Sequence, residues 1–204
     1  MDLDLLFDRF ATVEIRKRSL PHWRQDGKLY FITWRQEDSV AHVKREQLIR
    51  ERKAFIERYG DPSTTRFSTD VSRRYYRLFR ERVQRWLDAG DGSCVLRELR
   101  PRLIVRDALH HFEGYRYRLG SFAIAGNHVH ALVLPVAGID LSKIIHSWKS
   151  FTANEINRAL GRRGPLWAVE SYDHLVRSKE SLGRIQAYIH AHEDQGAYVE
   201  RRQL

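Results

Sequence analysis

The stretch YRYRLGSFAIAGNHVHALVLP, from Tyr115 to Pro135, restricts the fold of this chain more than any other. Two runs, 115–125 and 128–135, flank the pair Gly126-Asn127, which predicts a tight hairpin of adjacent antiparallel strands. The second run is apolar apart from His128 and His130. Residues i and i+2 of a strand share one face, so the two imidazoles project together with Cα atoms about 7 Å apart. At that spacing they can share a divalent cation, or they can be edge histidines making ordinary hydrogen bonds. They interrupt a run that should be wholly apolar, directly after a turn, and that favours the ligand reading.

Around the hairpin the chain alternates. KLYFITWRQ (28–36) is aromatic and β-branched and reads as a strand. Apolar spacing predicts helices over 40–58, 70–88, about 101–112, 140–160 and about 179–193, with a short strand over 172–177. Strands separated by helices predict an α+β fold, a small antiparallel sheet with helices packed on one face. With 204 residues the chain reads as one domain, 1–204, with a basic N-terminal arm at about 10–24 and a helical insertion after the first strand at about 37–98.

Composition narrows the function. Lys and Arg number 36 against 26 Asp and Glu, a net charge of +10 in which arginine dominates. Such an excess favours a polyanionic partner, and the planar guanidinium suits phosphate. The apolar runs are too short for a membrane span, and MDLDLLFDRF is acidic before it is apolar, which argues against a secretory signal. A single cysteine, Cys94, excludes an internal disulfide framework and a cysteine-based zinc site, and fits a reducing cytoplasm.

Two histidines seldom hold a metal alone. Candidates for a third ligand are His174, His190 and His192. Tyr188 and His192 are four apart on a helix and share a face, whereas His190 points away. A tyrosine oxygen beside a cation becomes a better nucleophile, because the cation stabilises phenolate. Together with a basic surface this suggests tyrosine attack on a phosphodiester, although Tyr188 alone is more readily a core aromatic. A histidine-triad nucleotide hydrolase needs a third alternating histidine, and that position is Leu132. Tyr30, Phe31 and Trp34 can stack bases as RNA-binding sheets do, but no glycine–aromatic signature accompanies them. Basic candidates for DNA contact are Arg16, Lys17 and Arg18 in the arm, Lys149, the Arg162-Arg163 turn, and Arg177 beside the tyrosine helix.

Four stretches, in order, resemble the single-tyrosine HUH transposases, and among them the REP-associated tyrosine transposases of bacteria. They are LPHWRQDGKLYFITWR, GNHVHALVLP, LSKIIHSWKSFTANEIN and GPLWAVESYDHLVRSKESLGRIQAYIH, spread over roughly residues 15–199. The resemblance implies a ferredoxin-like antiparallel sheet and a Mg²⁺ or Mn²⁺ site. It implies cleavage and rejoining of single-stranded DNA, on hairpin-forming palindromic repeats, through a 5′-phosphotyrosine intermediate. Carried over by position, His128 and His130 bind the cation and Tyr188 is the nucleophile. Relatives usually continue the tyrosine helix as YIxxNPVxAG, whereas this chain reads YIHAHEDQGAYV, which puts His192 where an amide ligand is usual. A catalytically lapsed hairpin-DNA-binding protein is the alternative that this departure leaves open. Further expectations are a monomer or homodimer, no membrane association, and a place in the bacterial cytoplasm at the nucleoid.

Overall fold

The hairpin lies at the heart of the sheet. A computed structural model describes residues 3–17, 21–62 and 64–204. In chain order the strands are β1 (Glu14–Lys17), β2 (Pro21–Arg24), β3 (Tyr30–Gln36), β4 (Tyr117–Ile124), β5 (His128–Pro135), β6 (Trp167–Leu175) and β7 (Tyr198–Glu200). The helices are α1 (His42–Tyr59), α2 (Thr69–Tyr76), α3 (Arg82–Asp88), α4 (Leu99–His110), α5 (Leu141–Leu160) and α6 (Lys179–Ala191). Five strands form an antiparallel sheet in the order β6-β3-β5-β4-β7. The run β3-α4-β4-β5-α5-β6 is a split βαββαβ unit, so the expected ferredoxin-like architecture is present, with β7 added at one edge.

Every residue of β5 is buried, because the strand is covered on both faces. Val129, Ala131 and Val133 face a core shared with α4 and α5. There Trp148 stacks on Trp34 with ring centroids 5.8 Å apart. Its indole N–H donates to the Tyr117 hydroxyl at 2.9 Å, and that hydroxyl donates to the Leu109 carbonyl at 2.7 Å. One polar chain thus ties α5, β4 and α4 together. On the opposite face Leu132 and Leu134 pack with Leu182 and Ile189 of α6. The expectation of helices on one face only is therefore corrected. A strand without polar alternation has two apolar faces, and each needs a cover.

Between β3 and α4 comes the expected helical insertion, α1 to α3, built on its own aromatic cluster of Phe55, Tyr75 and Phe79. The single helix expected over 70–88 is interrupted by a π turn at Arg77–Glu81. One additional residue in a turn rotates everything after it by roughly 100° about the axis. The strand expected over 172–177 is longer and starts earlier, at Trp167, with a register shift opposite Trp34 and Gln36. Part of the expected basic arm is a two-stranded ribbon, with Glu14 opposite Arg24 and Lys17 opposite Pro21.

Candidate metal and tyrosine site

The strand register brings His128 and His130 to the face of β5 that α6 and α3 cover. His130 lies opposite Thr33 on β3 and Ala123 on β4, at the centre of the sheet. Across from it runs α6, capped by the Ser178 hydroxyl, which accepts from the Ser181 N–H at 3.1 Å. One helical turn separates Tyr188 from His192, so both meet the histidine pair. Ring centroids are 4.7 Å apart for His128–His130, 4.8 Å for His130–His192 and 5.6 Å for His128–His192. All three histidines are at most 1% exposed as residues.

Each ring has its Nδ1 occupied. The Nδ1–H of His128 donates to Asn127 Oδ1 at 2.6 Å, and that of His192 donates to the Tyr188 carbonyl at 2.9 Å. His130 Nδ1 pairs with Thr33 Oγ1 at 2.7 Å. The Nε2 of His130 meets the Tyr188 hydroxyl at 3.2 Å and the Gln84 amide nitrogen at 3.3 Å. An amide NH₂ only donates, so this Nε2 is the acceptor. In all three rings the Nε2 lone pair therefore points into the cluster. The Nε2 atoms of His128 and His192 are buried without a hydrogen-bond partner. Their nearest charged neighbour is Asp88 Oδ1, at 3.7 and 3.5 Å.

Asp88 is the residue that sequence reasoning missed. It ends α3, and its carboxylate joins the imidazoles so that the four ligand atoms lie within 4.8 Å of one another. Gln84, one turn earlier, donates to Asp88 Oδ1 at 2.8 Å and reaches His130. The only sequence signal for Asp88 is an acidic residue at a helix C-terminus, where the macrodipole disfavours negative charge. Three buried imidazole lone pairs and one carboxylate are a donor set that could bind a metal ion, and the held Nδ1 atoms are the outer contacts such sites use.

Burial, then the facing His192, pushes the His128 imidazole down to about 3. Burial and its two histidine neighbours hold His130 well below the usual range. Both rings are neutral at pH 7, as ligands must be. Burial alone would raise the Asp88 carboxyl; His192, Gln84 and His128 together outweigh it and keep the group ionised. For Tyr188, burial and then the Asp88 charge raise the phenol above its ordinary value. A cation in the cluster opposes both effects on the phenol.

The remaining expected residues are spread more widely. His174 is held by the Tyr172 hydroxyl at 2.9 Å, and His190 meets Ser121 Oγ at 3.1 Å; neither joins the cluster. Lys149 donates to the Ala168 and Val169 carbonyls of β6. Arg162 reaches Ser93 Oγ at 3.4 Å, and Arg163 is exposed. The Arg177 guanidinium lies over the rings of Phe7 and Trp23, at 5.7 and 5.5 Å. The side chains of Arg16 and Lys17, and the whole of Arg18, lie outside the described residues.

The order of these parts is matched by a known family: from α4 to His192 the chain fits the family described as transposase, IS200 like. Residues 102–192 match that family's model and are called the transposase-like segment below. The resemblance read from the motifs is borne out for this segment, which makes up just under half of the chain. A solved structure described as a REP-associated tyrosine transposase bound to a REP hairpin is also similar, at 12% identity and a TM-score of 0.45. That similarity covers 88% of this chain and 74% of the other. No curated protein matches the sequence significantly. The transposase-like segment contains His128, His130, Tyr188 and His192, whereas Asp88 and Gln84 come from the insertion that precedes it.

Proposed function

We propose that the protein cleaves and rejoins single-stranded DNA through Tyr188, at hairpin-forming repeats, as a cytoplasmic REP-associated transposase. The observation that carries the reading is the Tyr188 hydroxyl set 3.2 Å from His130 Nε2 inside a cluster of three histidines and an aspartate. His128, His130 and His192 would hold a divalent cation, with Asp88 as a fourth donor. Of Mg²⁺ and Mn²⁺, the imidazole-rich set suits Mn²⁺ better, since Mg²⁺ prefers oxygen. Such a cation supplies Lewis-acid polarisation of a phosphate and stabilises phenolate.

The protein's own residues do the rest. Tyr188 Oη attacks phosphorus, the P–O3′ bond breaks, the phenol proton passes to water, and the departing O3′ takes a proton from water. A 5′-phosphotyrosine and a free 3′-hydroxyl result, and the ester retains the energy needed for rejoining. Thr33, Asn127 and the Tyr188 carbonyl orient the three imidazoles. Net charge supports a polyanionic substrate, and the whole cluster lies within one chain, which favours a monomer acting in cis. Among the described residues no helix is long and apolar enough to cross a membrane.

One observation favours the second reading, a hairpin-DNA-binding protein that no longer cleaves: the Gln84 amide already occupies His130 Nε2, at 3.3 Å. Incubation with a labelled hairpin oligonucleotide in Mn²⁺, followed by denaturing gels, separates the two. A covalent adduct is expected with wild type and none with Tyr188→Phe. No adduct from wild type on any hairpin or single-stranded repeat rejects the enzyme reading.

A further inference from the structure

Beside the cluster lies a chamber of about 1030 Å³, walled on one side by the sheet and α6 and on the other by the insertion. That volume exceeds what one nucleotide needs and sits at the upper end of common ligand pockets. Tyr188 and Gln84 are among its lining residues, so the chamber adjoins the proposed nucleophile. Seven arginines and two glutamates line it, among them Arg77, Arg80 and Arg184. Some are committed: Arg80 bonds the Tyr172 hydroxyl and lies 4.4 Å above that ring. Arg77 and Arg184 are exposed at the wall. Tyr76, 50% exposed, is the most open aromatic of the lining.

The charge excess fits a phosphate backbone, and an open aromatic ring fits the face of an unpaired base. Stacked base pairs have no free π-face to offer such a ring. The alternative occupant, an acidic peptide, accounts for the arginines but not for the open ring. We propose that this chamber binds the unpaired nucleotide adjoining the cleaved phosphate, its base stacked on Tyr76 and its phosphates on Arg77 and Arg184. The inference rests on the proposed DNA cleavage and adds that the insertion, not the transposase-like segment, supplies this subsite.

The test uses the full chain and a fluorescein-labelled single-stranded oligonucleotide, with anisotropy for affinity and adduct yield for chemistry. Loss of one base–aromatic stack weakens binding by roughly fivefold to a hundredfold. Tyr76→Ala is expected in that range, while Tyr76→Phe retains wild-type affinity, and Arg184→Glu weakens binding further as salt falls. Both positions are surface-exposed, and unchanged thermal melting confirms that the variants fold. Unaltered affinity in both Tyr76→Ala and Arg184→Glu overturns the inference, even if wild type forms the adduct. Chamber-dependent binding without any adduct leaves the inference standing and rejects cleavage instead. Equal binding of the matching duplex, indifferent to Tyr76, also overturns it.

Discussion

Asn127 and Thr33 touch no substrate in the proposed reaction, yet they decide which nitrogen each of two histidines turns inward. His128 Nε2 faces the cluster because Asn127 Oδ1 accepts from Nδ1 at 2.6 Å. Removing such an outer contact costs roughly 10- to 100-fold in metal affinity. Asn127→Ala is therefore expected to weaken Mn²⁺ binding in titration calorimetry by that factor, with wild type preferring Mn²⁺ to Mg²⁺. Acidity offers a second check. His128 and His174 have pKa values pushed from 6.5 to about 3 and about 4, in both cases chiefly by burial. The unfolded chain binds these protons first, so stability is full above 6.5 and is lost as pH falls towards 4 and below. Melting of metal-free protein should show Tm dropping across that window; a flat profile contradicts the burial of neutral imidazoles. The H-x-H pair, Tyr188 and His192 were legible in the sequence because strand and helix periodicity are local rules. Asp88 was not, because it meets its partners only through a tertiary contact that leaves no local pattern.

At the scale of elements, α6 carries Tyr188 and leads directly into His192, and its start depends on one hydroxyl. Ser178→Ala removes the acceptor for the Ser181 N–H and should cost about 0.5–2 kcal/mol in urea unfolding. A loss of adduct formation larger than that stability change points to a shifted helix axis, whereas no destabilisation contradicts the cap. The hairpin β4-β5 and helix α5 match their expected bounds within about two residues, since turn chemistry and a sharp cap mark their ends. The π turn at Arg77–Glu81 escaped, because Val71, Tyr75, Leu78, Phe79, Val83 and Leu87 keep an apparently unbroken helical spacing across it. With three residues, β7 is too short for any periodic signal, and its pairing with β4 is set by the edge it covers.

For the whole molecule, the tyrosine and its histidines belong to one chain and one sheet face. Mixing Tyr188→Phe with His130→Ala should consequently recover no adduct. Recovery on mixing means that copies exchange tyrosine helices. The α+β class and the inserted helices were readable from the alternation of patterns, but the second covered face was not, because burial on both sides erases the polar alternation that marks an open one. Asp88 joins a cluster whose other members all come from the transposase-like segment. Four donors gathered from both sides of that boundary would make a bound cation a rivet between the insertion and the sheet. An ion held there would tie the last helix of the insertion to the central strand, so in the proposed reaction loading the metal and admitting the DNA strand would be competing demands on a single joint.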